Sequence, residues 1–121
     1  MSGQKGEVVI KKEAGVNVVT PLDHDVLDDS EIVPITAQLS SIRYDDLQPK
    51  LVLDLQNVEY ISSAGLSMLV SIDRRCKGRN GRLVLVNIRQ QIMEVLQHMR
   101  LDGLIEIQAT VADAMKQLTG T

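Results

Sequence analysis

Leu51-Val52-Leu53-Asp54-Leu55 is an almost unbroken apolar run of strand length, and a run of this kind is stable only as a strand covered on both faces. A chain that carries it must place layers above and below a sheet. Leu83-Val84-Leu85-Val86 is a second run of the same type. The remaining sequence has to supply the neighbouring strands and the covering helices.

Upstream, Val8-Val9-Ile10 and Val16-Asn17-Val18-Val19 are short β-branched runs joined by Glu13-Ala14-Gly15, which predicts a hairpin. The stretch from Pro21 to Glu31 is acidic and irregular. Ile32, Ile35, Leu39 and Ile42 then recur at helical spacing and predict a helix over 31–44, with Pro34 tolerated in its first turn. After the central run, Ser62 and Ser63 are both good N-cap residues ahead of the apolar stretch Ala64 to Ile72. Lys77-Gly78 marks that helix's end, with Gly78 read as the C′ glycine, and Asn80-Gly81 turns the chain into the second buried strand. Ile92, Val95, Leu96 and Met99 follow the i, i+3, i+4, i+7 pattern of a further helix, stopped near Asp102-Gly103. Leu104 to Ile107 reads as a short strand. Thr110 to Asp113 forms a capping box with Asp in place of Glu, opening a last helix with Val111, Ala114, Met115 and Leu118 inward. The order is ββαβαβαβα over residues 1–121, one α/β domain with a mostly parallel sheet layered with helices.

Composition narrows the function. The 121 residues include neither Phe nor Trp and only two Tyr, and the formal net charge is -3. Few aromatic platforms and no cationic excess argue against binding nucleic acid or an anionic membrane. The first residues lack the apolar core of a secretory signal and no apolar run approaches a bilayer span, so a cytoplasmic protein is expected. The single Cys76 stands at helical spacing from Leu69 and Ile72 and reads as core filler.

The sequence carries no recognisable active-site constellation. No local signature links a serine to His24 or His98, so no nucleophilic machinery is expected. Asp23-His24-Asp25, with Asp28, Asp29 and Glu31 behind, matches no EF-hand or zinc spacing and reads as a solvated acidic loop that binds no metal. Gly78-Arg79-Asn80-Gly81 lacks the lysine, hydroxyl residue and following helix of a phosphate loop. No cofactor is implied.

Ile61-Ser62-Ser63-Ala64-Gly65-Leu66 carries the remaining signal. A phosphate on a serine at a helix start meets the positive end of the helix dipole, so the fold can accept it while a surface changes. At 100° per residue, Ser63, Ser67, Ser71 and Arg74 form one polar, outward stripe. Gly65, Met68, Leu69, Ile72 and Cys76 centre the opposite face, and Val70 lies on the border of the stripe.

This element order, with Leu51-Val52-Leu53-Asp54-Leu55 and then Val58-Glu59-Tyr60-Ile61-Ser62-Ser63-Ala64-Gly65-Leu66, resembles the STAS domain of anti-sigma factor antagonists. The likeness runs from about Val8 to Leu118 and is weakest from Leu22 to Tyr44. The family's motif is commonly Asp-Ser-Ser-Gly-Leu or Asp-Ser-Thr-Gly-Leu, and alignment on Gly65-Leu66 places Ser63 at the phosphorylated position, with Ser62 in place of the aspartate and Ala64 in place of the second hydroxyl residue. The resemblance implies partner switching rather than catalysis. On that resemblance, unphosphorylated protein is expected to bind an anti-sigma factor that is also a serine kinase, phosphorylation at Ser63 to exclude it, and a PPM-type serine phosphatase to restore it. Ser62, Ser63, Ser67, Val70, Ser71 and Arg74 are then the partner-binding residues. Two other roles compatible with the residues are a STAS scaffold or regulatory subunit of a signalling assembly, and a small-molecule or nucleotide-binding module.

Overall fold

The two apolar runs become adjacent central strands. The computed structural model describes residues 8–21 and 50–119, so the acidic stretch Asp23 to Glu31 and the helix predicted over 31–44 lie outside the described residues. Strands β1 (Val8–Glu13), β2 (Val16–Pro21), β3 (Lys50–Asp54), β4 (Arg82–Val86) and β5 (Glu106–Ile107) form one sheet in that order. β1 is antiparallel to β2, and every other pairing is parallel. Helices α1 (Ser63–Lys77), α2 (Gln90–His98) and α3 (Val111–Thr119) alternate with the later strands.

The hairpin turns on Ala14 and Gly15, with φ of 49° and 79°. A two-residue loop with both φ values positive matches the twist of its strands, and Gly15 takes that geometry without steric cost.

Alternation along the strands divides the core. Val19, Leu51, Leu53, Leu83 and Leu85 face Met68, Leu69, Ile72 and Cys76 of α1 and Ile92 and Leu96 of α2. Val16, Val18, Val52, Val84 and Val86 face Ala114 and Leu118 of α3, with Val111 and Met115 packed at the edge. One face is thus built of leucine and the other of valine and alanine. The β3 and β4 positions that alternate between these faces are buried on both, as expected of internal parallel strands.

Local signals differ from the sequence reading at three points. Gly78 has φ of -63° and is not the left-handed cap. That conformation falls to Asn80, at φ 59°. The Asn80 N–H donates to the Lys77 carbonyl at 3.0 Å and the Gly81 N–H to the Cys76 carbonyl at 2.7 Å, the paired bonds of a Schellman closure with Asn80 at C′. Met99 continues the apolar spacing of α2 but lies beyond its last residue and is 55% exposed. Arg100, at φ 61°, has already turned the chain into a short 3-10 segment, Leu101–Gly103. The strand expected from Leu104 is only Glu106–Ile107, with Leu104 exposed. It is tied down by Arg82, whose Nε donates to Glu106 Oε1 at 2.8 Å and whose second guanidinium nitrogen pairs with Oε2.

Cys76 is fully buried. Burial, and then the nearby Asp73 carboxylate, push its thiol up to about 11 from an ordinary 9.0. The folded value is the higher one, so this contribution to stability is intact below pH 9 and drains as pH rises towards 11. The parent is expected to lose about 2 kcal/mol more than Cys76→Val between those limits, in urea titrations at each pH. Equal losses in the two proteins would contradict it.

Candidate functional site

The segment between β3 and α1 positions the serines, and it is anchored from beneath. Asp54 is buried where β3 ends. Its carboxylate accepts from the Gln56 N–H at 3.1 Å, from Gln56 Nε2 at 3.3 Å and from Asn87 Nδ2 at 3.1 Å. A carboxylate accepting several N–H groups holds a loop more firmly than neutral partners do. Asn57 Nδ2 donates to the Pro21 carbonyl at 3.0 Å, Arg89 Nε donates to the Gln56 carbonyl at 3.0 Å, and Val58 and Ile61 are buried as apolar anchors. The ends of β2, β3 and β4 therefore fix the entry to α1 together.

Burial of Ile61 draws Ser62 inward after it. Ser62 is extended, at φ -89° and ψ 172°, and its Oγ accepts from the Gly65 N–H at 3.1 Å while its carbonyl accepts from the Leu66 N–H at 2.9 Å. Ser62 is thus the N-cap, and Ser63, which the sequence offered equally for that role, is the first helical residue with an exposed side chain. At 7% exposure Ser62 is buried and offers a partner little surface. Ser62→Ala is expected to cost about 0.5–2 kcal/mol by urea unfolding, and Ser63→Ala close to nothing. A larger loss at Ser63 than at Ser62 would reverse the assignment.

Ser63, Ser67, Ser71 and Arg74 are exposed along one side of α1, while Gly65, Met68, Leu69, Ile72 and Cys76 are buried on the other and Val70 is half-buried. The projection missed the surface beside this stripe. A groove of about 420 Å³ runs along it, with Leu66 and Val70 from α1 and Met99 and Leu101 from beyond α2 as its apolar lining. A second groove of about 400 Å³ shares Ser63, Leu66 and Met99 and continues over Gln91, Glu94, Val95 and His98 of α2. Ser63 stands where the two meet. The missed residues come from a helix and a turn about thirty positions apart in sequence, and only the fold brings them together.

No acidic residue occupies the first turn of α1, so an anion there meets the helix dipole with no acid on the same turn. Arg74 lies eleven residues on, about 16 Å along the axis, too far to neutralise a charge at Ser63. Among the described residues no group of His, Cys, Asp and Glu is arranged to hold a metal. No helix among them is long and apolar enough to cross a membrane.

Comparison with known proteins agrees with this geometry. The STAS domain family model matches residues 10–114. A Thermotoga neapolitana protein named as an anti-sigma factor antagonist, a TM1081 homolog, is 30% identical over 71 residues, covering 59% of this chain and 63% of that protein, which is less than two thirds of its length. The crystal structure of an anti-sigma factor antagonist from Thermotoga maritima superposes with a TM-score of 0.85 at 22% identity, covering 92% of this chain and 93% of that one. SpoIIAA, an anti-sigma factor antagonist solved in its unphosphorylated form, gives 0.70 at 18% identity, covering 95% and 100%. At these identities the two structures share the fold. With the family model spanning residues 10–114 of the 121, the chain belongs to the STAS domain family.

Proposed function

We propose that this protein is an anti-sigma factor antagonist that works by phosphorylation-controlled partner switching in the cytoplasm, with Ser63 as the phosphoacceptor. The observation that carries this reading is the division of labour between neighbouring serines. Ser62 is buried and caps the helix, while Ser63 is exposed at the meeting point of two grooves with partly apolar linings. A phosphate on Ser63 leaves the cap bond intact and places about -1.5 to -2 charges on a surface suited to a protein partner. Ser67, Val70, Ser71 and Arg74 extend that surface along α1.

In this reading the domain is the substrate and ligand of other proteins and contributes no catalytic group. An anti-sigma factor with serine kinase activity binds the unmodified face and transfers the γ-phosphoryl group of its ATP to Ser63 Oγ. A PPM-type phosphatase hydrolyses the ester and restores the face. Incubation with the cognate kinase and ATP, followed by mapping of the phosphate by mass spectrometry, is expected to give a single site at Ser63. Phosphate on Ser67 or Ser71, or none at all, would overturn the assignment.

A further inference from the structure

The groove beside Ser63 ends at Arg74, where a different surface begins. Residues 74–82 contain Arg74, Arg75, Lys77, Arg79 and Arg82 and no acid, in a chain whose net charge is -3. Three of these cations, Arg75, Lys77 and Arg82, are engaged. Arg82 is held by Glu106, and Lys77 Nζ bridges Asp73 Oδ2 and the Leu104 carbonyl, both at 2.8 Å. The side chains of Arg74 and Arg79, both exposed, have no partner among the described residues. With Arg75 and the bare backbone of Gly78 they surround a recess of about 400 Å³. One or two cations would suffice to complement the helix dipole. Arg79 lies beyond the helix altogether, in the closing turn.

We propose that this recess at the C-terminal end of α1 is an electrostatic docking site for a carboxylate-bearing segment of the protein partner that covers Ser63. The inference rests on the partner-switching reading and adds the partner's chemistry, a segment apolar over Leu66, Val70, Met99 and Leu101 and acidic over Arg74 and Arg79. Charge complementarity identifies the occupant. The recess shares Arg74 with the groove lined by Leu66, Val70, Met99 and Leu101, whose apolar surface a protein segment can fill and a phosphate backbone cannot. The negative charge of the chain as a whole also disfavours a long polyanion. The recess is remote from Ser63, so it serves recognition and rate of encounter, whereas Ser63 serves switching.

The test uses the cognate anti-sigma factor as probe and measures association and affinity at low and at physiological salt for the parent, Arg74→Glu/Arg79→Glu, Arg74→Gln/Arg79→Gln and Ser63→Asp, the last expected to bind weakly because it places a charge at the switch position. The charge reversal is expected to weaken binding about tenfold or more, mainly through slower association, and to flatten the salt dependence. The glutamine variant should fall between, with circular dichroism unchanged in both. Affinity and salt dependence equal to those of the parent would overturn the docking site while leaving the effect of Ser63→Asp in place. Loss of the Ser63→Asp effect alone would overturn the switching reading and spare the recess. Arg74- and Arg79-dependent binding to a mixed-sequence DNA duplex or to anionic lipid vesicles, with none to the anti-sigma factor, would also contradict it.

Discussion

Ser63→Asp is expected to weaken binding of the anti-sigma factor by roughly 30- to 4000-fold and to leave the melting temperature of the free domain unchanged or slightly raised. The two halves of this result have different causes. In the free domain the new carboxylate is solvated at the first position of α1, in a turn with no other acid, and a negative charge there is mildly stabilising. In the complex the same group must give up its water beside Leu66 and Met99, and an unpaired charge buried at an interface costs about 2–5 kcal/mol. Arg74 is too distant to compensate. Ser63→Ala removes the acceptor without adding charge, so it should bind as the parent does and resist labelling. Equal affinity of Ser63→Asp and the parent would leave Ser63 as an ordinary exposed residue.

Leu53→Ala is expected to destabilise the domain by about 2–5 kcal/mol, a large part of the stability of a protein of this size. Leu53 is 1% exposed. It pairs with Val19 on one side and Leu85 on the other, in the middle of the leucine face beneath α1 and α2. Internal strands cannot close up around a deleted isopropyl group without losing their ladder hydrogen bonds, so most of the cavity persists. A loss below about 0.5 kcal/mol in urea unfolding would mean that β3 is not the centre of the core.

These two residues also mark what was legible in the sequence. Leu53 was readable because an apolar run with no polar alternation has few stable placements, and the outward position of Ser63 followed from helical projection. The choice of cap between Ser62 and Ser63 was not readable, because both side chains can accept the bond and the burial of Ile61 decides between them. Likewise Asn80 and Gly78 both suit a helix end, and the length of α1 settles the matter. Asp54 looked like one polar interruption of a strand. Its role as anchor depends on Asn87, which reaches it from the end of β4, thirty-three residues away. Met99 has the spacing of a core residue but sits past the helix end, where periodicity no longer predicts direction.

Phosphate on Ser63 is expected to change a surface and not the fold. The most direct measurement compares unmodified and Ser63-phosphorylated protein, purified apart, for affinity to the same anti-sigma factor by calorimetry and for melting on the same samples. The unmodified form should bind, the phosphorylated form should bind at least about 30-fold more weakly, and the two should melt at closely matching temperatures. Equal affinities, or weaker binding accompanied by unfolding of the phosphorylated domain, would contradict it.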